Sequence, residues 1–179
     1  GRAGLVATRK ARQHATLDAA DARDVALFAF RLLQIAADRA SDAKYPCCTF
    51  RGSLSALDAN TGAVIWKTYT VDESKPRAKN KAGVQMFGPA GGGIWASPTV
   101  DPKRNMVYVA TGNAYADPPQ KMANAVIALD INTGAIKWVN QTLPNDSWTL
   151  GCQAKNPDNP ACPETLGPDY DFSASPALA

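Results

Sequence analysis

The sequence predicts an all-β fold assembled from repeated hairpins, and three observations carry that prediction. The motif SALDANTGAVIWK at 55–67 returns as IALDINTGAIKWV at 127–139, 72 residues later. More loosely, Ala96-Ser97-Pro98-Thr99 returns as Ala174-Ser175-Pro176-Ala177, 78 residues later. Thirteen Gly and thirteen Pro, concentrated in 83–119 and 144–176, punctuate short apolar runs such as 107–110 and 126–129, the pattern of many short strands joined by turns.

Each element follows from its residues. In both copies of the long motif, a run ending Ala-Leu-Asp enters Asn-Thr-Gly, which supplies turn-forming side chains, and leaves into a second run that ends on Trp66 or Trp138. Each copy therefore reads as a β-hairpin. Repetition over such a period marks stacked supersecondary units, and 96–99 and 174–177 each open a unit as its inner strand. A single unit buries only part of its apolar surface, so several must pack around a common channel. With 179 residues the chain holds little more than two such units, and the expected architecture is a partial β-propeller of about two blades.

The segment before these units reads differently. Leu17, Val25, Phe28, Leu32 and Ile35 are spaced near 3.6 residues, with Thr16 available as a cap, which predicts a helix over 16–40. The composition breaks near residue 44. The expected organisation is thus an N-terminal segment, 1–44, helical or disordered, followed by a hairpin-bearing body, 45–179.

Bulk properties exclude several functions. The composition, 45% apolar and 20% charged, is that of a globular chain with a core. A net charge of +3 is spread along the sequence except for Lys75, Arg77, Lys79 and Lys81, which read as a solvated loop. No dense basic patch with interleaved aromatics is visible, which argues against a nucleic-acid partner. No run of eighteen apolar residues occurs, so no membrane-spanning helix is expected. The four cysteines fall as the neighbours Cys47 and Cys48 and as Cys152 and Cys162 in a loop rich in Pro and Asn. Without a CxxC motif, and with the single His14 far away in sequence, zinc is poorly supported and disulfides in an oxidising compartment are the better reading.

The hairpin pattern Ala-Leu-Asp-x-Asn-Thr-Gly-Ala-x-x-Trp resembles the tryptophan-docking repeat of the quinoprotein dehydrogenases, eight-bladed propellers that use pyrroloquinoline quinone (PQQ). The resemblance runs nearly continuously from Tyr45 to Ala179, and KYPCCTFRGS at 44–53 is similar to the polyvinyl-alcohol dehydrogenase branch. In GGGIWASPTVDPKRNMVYVATGNAYADPP, 91–119, it implies that Trp95 lies under the quinone and that Asn113, eighteen residues later, ligates a calcium-type ion. A planar quinone needs a flat floor, and a hard divalent ion takes carbonyl and carboxylate oxygens. The resemblance further implies that Cys47 and Cys48 form a disulfide covering the other face of the cofactor. Arg51 is placed to approach the cofactor's carboxylates, which a guanidinium fits well.

Near the C-terminal end, LGPDYDFSASPALA resembles the segment carrying the catalytic aspartate, which falls at Asp169. Pro168 replaces the family's Trp, and Asp171 competes as the base or serves as a further metal ligand. The family's Glu metal ligand has no convincing counterpart in 26–41. By the resemblance, an alcohol, polyvinyl alcohol or another secondary alcohol, would be oxidised by hydride transfer to the quinone in the periplasm or another extracytoplasmic compartment. Electrons would leave to a cytochrome c, although the chain has no CxxCH haem motif of its own. Two alternatives keep the same repeats: a non-catalytic propeller used as an interaction scaffold, and an inactive truncated piece.

Overall fold

A computed structural model describes residues 25–29, 42–149, 152, 162–164 and 166–179. The described residues form eleven strands and no helix: β1 Val25–Ala29, β2 Ser53–Asp58, β3 Val64–Tyr69, β4 Lys75–Lys79, β5 Gln85–Gly88, β6 Ala90–Gly91, β7 Thr99–Asp101, β8 Met106–Ala110, β9 Ala114–Ala116, β10 Ala125–Asp130 and β11 Ile136–Gln141. They assemble into an antiparallel sheet β1-β2-β3, a four-stranded antiparallel sheet β11-β10-β8-β7, and the two ribbons β4-β5 and β6-β9.

Both repeats are hairpins, β2-β3 and β10-β11, and they turn by the same chemistry. The Asp58 carboxylate accepts hydrogen bonds from the backbone of Asn60 and Thr61 and from the Thr61 hydroxyl, and Asp130 receives the equivalent set from Asn132 and Thr133. Gly62 and Gly134 close the turns at φ of 74° and 70°, a conformation that costs glycine nothing. The register of both hairpins shifts at the same place, between Ala56 and Leu57 and between Ala128 and Leu129. The extra residue there strengthens the local twist.

The sheets bury their facing sides against each other. Leu54 and Ala56 from β2, Val107 and Val109 from β8, and Ala125, Ile127 and Leu129 from β10 share one core with Trp66 and Ile94. Trp66 joins the two repeats: its indole N–H donates to the Ile131 carbonyl at 3.0 Å, and the Thr68 hydroxyl donates to the Gly134 carbonyl at 2.6 Å. A β-carbon on Gly134 would run into the Trp66 ring. The first hairpin's Trp is therefore docked on the Asn-Thr-Gly turn of the second. Its counterpart Trp138, on edge strand β11, is 43% exposed.

Two expectations are corrected. Val25–Ala29, inside the stretch whose spacing suggests a helix, is a strand paired with β2 from Val25↔Asp58 to Ala29↔Leu54. A five-residue apolar run satisfies either period, and the open edge of β2 decides between them. The rest of 16–40 lies outside the described residues. Lys75, Arg77 and Lys79 are not in a loop but alternate along β4, paired with β5. The second Ala-Ser-Pro segment lies beside the first, with the Thr99 hydroxyl donating to the Pro176 carbonyl. Among the described residues no helix is long and apolar enough to cross a membrane.

Candidate active site

The ribbon β6-β9 gathers most of the predicted site residues. Gly91 pairs with Ala114, and the backbone bonds Gly92 N to Asn113 O and Gly112 N to Gly93 O, both 2.8 Å, extend the contact toward Trp95. Gly91 and Gly92, at φ of 105° and 61°, let the two backbones approach so closely. Gly112 is pressed between two predicted site residues: a β-carbon there would run into the Trp95 indole nitrogen and the Asp171 carboxylate. We expect Gly112→Ala to destabilise the protein by about 1–3 kcal/mol, the usual penalty of overpacking; a melting temperature unchanged from the parent in calorimetry would contradict this.

Asn113 is almost fully buried. Its backbone N–H donates to Asp171 Oδ1 at 2.7 Å and its side-chain amide donates to the Trp148 carbonyl at 2.9 Å. Fixed by those two bonds, its Oδ1 is left buried without a hydrogen-bond partner, and so is Trp95 Nε1. Buried polar atoms are rarely left unmatched. Trp95 itself is half-buried.

Cys47 and Cys48 are disulfide-bonded to each other across a cis peptide, with their Cα atoms 3.1 Å apart. The pair is locked to β5, Cys48 N donating to the Phe87 carbonyl and Phe87 N donating to the Cys47 carbonyl. It packs with Ala90, Tyr115 and Ala116, so it lies against the same ribbon that leads to Trp95 and Asn113. Cys152 and Cys162 form a second disulfide, with Cα atoms 5.4 Å apart. Most residues between them lie outside the described ones.

Asp169 and Asp171 come to the same place. Asp169 has φ of 63°. Its carboxyl is pushed up to about 6 by burial first, then by the charges of Asp171 and Asp146. Asp171 is also raised, by burial and by Asp146, against the lowering effect of the Asn113 N–H. Tyr115, buried against the disulfide, has its phenol pushed far up by burial and by the same two carboxylates, Asp171 and Asp169. It packs with the disulfide and feels the charge of both aspartates.

Arg51 is placed at the rim. Its backbone bridges to Gly91, while its guanidinium lies 3.8 Å above the Tyr69 ring and donates through Nε and Nη2 to the Val71 carbonyl at 3.0 and 2.7 Å.

Three residues of this cluster escape the sequence analysis: Tyr115, Asn124 and Asp146. Asp146 is 3% exposed and accepts hydrogen bonds from Asp169 N, Tyr170 N and Asn124 Nδ2. An Asp between Asn145 and Ser147 looks like any turn residue, and only the fold reveals its long-range partners.

Hairpin blades coupled by a docked tryptophan define the chain as a piece of a β-propeller. The family profile of the glucose/ethanol/alcohol dehydrogenase β-propeller domain, the PQQ domain, matches residues 4–163, and the chain belongs to that family. It is 48% identical over 140 residues to a polyvinylalcohol dehydrogenase from a Pseudomonas species, covering 78% of this chain and 21% of that protein. The polyvinylalcohol dehydrogenase of Sphingopyxis sp. strain 113P3 is 47% identical over 133 residues, covering 74% of this chain and 20% of that protein. Among solved structures, the quinohemoprotein alcohol dehydrogenase from Comamonas testosteroni superposes with a TM-score of 0.42 and 28% identity, over 60% of this chain and 19% of that one. The chain thus spans about a fifth of the length of the two curated relatives.

Proposed function

We propose that this chain is part of a PQQ-dependent dehydrogenase that oxidises an alcohol, with polyvinyl alcohol or another secondary alcohol as substrate and a cytochrome c as electron acceptor. The observation that carries this reading is where two of the three buried, unpartnered polar atoms among the described residues fall: Trp95 Nε1 beside Gly112 and Asn113 Oδ1 on the next residue, whose N–H holds the Asp171 carboxylate. The two disulfides suit the periplasm or another oxidising, extracytoplasmic compartment, and the hairpin-bearing body 45–179 is the part that carries the site.

The residues present fit the cofactor. Trp95 offers a flat, half-buried indole and Cys47-Cys48 an apolar ring, both attached to the β6-β9 ribbon. Nε and one hydrogen of Nη2 of Arg51 go to the Val71 carbonyl, which leaves Nη1 and the second Nη2 hydrogen for a carboxylate of the quinone. Asn113 Oδ1 and the carboxylate of Asp171 are hard oxygen donors of the kind Ca²⁺ takes. Among the described residues no cluster of three His, Cys, Asp or Glu side chains forms a complete metal site, so further ligands must come from elsewhere.

When bound, the quinone supplies a two-electron acceptor for the hydride of the carbinol carbon, leaving a carbonyl product. The chain's own residues handle the proton. Asp169, whose carboxyl is raised to about 6 by burial and the neighbouring carboxylates, is matched to accept the alcohol's hydroxyl proton near neutral pH. Asp171, tied to the Asn113 N–H, is the better anchor for a cation.

Calorimetric titration of the complete protein with PQQ and Ca²⁺ tests the reading. Saturable binding is expected, weakened roughly thirtyfold in Trp95→Ala, as loss of about 2 kcal/mol of stacking and apolar contact requires. A parent that takes up no PQQ would leave the interaction scaffold as the surviving interpretation.

A further inference from the structure

We propose that Asp146, held by Asn124, is a positioning residue that sets the Asp169 carboxylate; this rests on the reading of Asp169 as the base. Asp146 is a carboxylate at 3% exposure whose described partners are all N–H groups rather than a cation. Burying a carboxylate is costly unless every lone pair is used. Here the use is specific. Oδ1 accepts from Asp169 N at 3.1 Å and Oδ2 from Tyr170 N at 3.0 Å, so the two oxygens grip two successive backbone amides.

That grip falls on a residue that needs it. Asp169 sits at φ of 63°, in the left-handed region, where a non-glycine residue persists only if its surroundings over-determine it. Gly167 contributes by being small, since a β-carbon there would collide with the Asp146 side chain. It also donates through its N–H to the Ser147 carbonyl at 3.0 Å. The segment 166–170 is thereby zipped along 146–147.

Asp146 is in turn aimed by the opposite side of the site. Asn124 Nδ2 donates to its Oδ2 at 2.7 Å, and Asn124 N donates to the Gly112 carbonyl at 2.9 Å. The Asp146 carbonyl accepts from Ala114 N at 3.1 Å. Asn124 and Asp146 therefore reference the base to the Gly112–Ala114 backbone, which also carries Asn113 and touches Trp95. A misplacement of about 1 Å at such a residue can cost on the order of a hundredfold in rate without loss of binding.

The test uses the complete protein loaded with PQQ and two variants. Asp146→Ala removes the grip. Asn124→Gly removes only the amide that aims it, and glycine accepts the φ of 48° at that position, so this variant keeps the fold if Asp146→Ala does not. Both are expected to lower kcat, roughly tenfold or more for Asn124→Gly and about a hundredfold for Asp146→Ala, with KM and PQQ affinity within about threefold. Both should also speed amide hydrogen exchange in a peptide covering 166–172 while β8 and β10 keep their protection. Unchanged kcat and unchanged exchange in Asn124→Gly would overturn the proposal. Faster exchange at 166–172 in both variants of a parent that itself oxidises no alcohol would support the positioning and sink the dehydrogenase reading instead.

Discussion

Asp169→Asn in the complete, PQQ-loaded protein is expected to lower kcat by about 10²–10⁴-fold, the range general-base catalysis contributes, while PQQ affinity stays near that of the parent. The replacement keeps the size and the left-handed backbone and removes only the proton acceptor. The pH dependence has a definite sign. Burial and the neighbouring carboxylates push the Asp169 carboxyl up to about 6, so its basic form is lost as pH falls through that value. A cation held beside Asp171 works against that rise, so the acid limb of the loaded parent's kcat/KM should appear at or below about 6, and the residual rate of the variant should show no such limb. Asp171→Asn provides the contrast, because its carboxylate is tied to Asn113: a loss mainly in Ca²⁺ affinity is expected. The reverse outcome, with Asp171→Asn abolishing turnover at saturating Ca²⁺ and Asp169→Asn sparing it, would exchange the two roles.

The largest effect on stability is expected at Trp66. Its side chain is 9% exposed, belongs to the core shared by both sheets, and donates to the Ile131 carbonyl. Truncation to alanine should cost about 3–5 kcal/mol. Trp138, the same residue one repeat later, is 43% exposed and should cost far less within this chain. Urea unfolding of the two variants measures the difference; equal losses would mean that the docking seen for Trp66 contributes nothing beyond each hairpin's own packing.

The hairpins are legible in the sequence because their determinants are local. An Asp that caps its own turn, a Gly at positive φ and a Trp at fixed offset all lie within a dozen or so residues of one another. The vicinal cysteines are legible for the same reason. The strand Val25–Ala29 is not, because a short apolar run has no period of its own and only the unpaired edge of β2 selects its conformation. Nor is β4, where Lys-Pro-Arg-Ala-Lys lacks strand-favouring side chains and is held by pairing with β5. Within the site, Trp95, Asn113, Asp169 and Asp171 can be read from a resemblance of motifs. Asp146 and Asn124 cannot: their partners are backbone amides and a side chain more than twenty residues away, and nothing in the residue types announces that a turn aspartate is buried.

The docking of Trp66 on the Ile131–Gly134 turn gives the assembly a direction. The first hairpin offers its indole to the turn of the second, so these two repeats engage tooth to socket in a single sense. In such an array the free energy is a chain of nearest-neighbour couplings. Gly134 is where this link is tightest, because a side chain there would run into the indole. A substitution at that glycine would then act like a nick, leaving two sheets that melt separately where the parent melts as one.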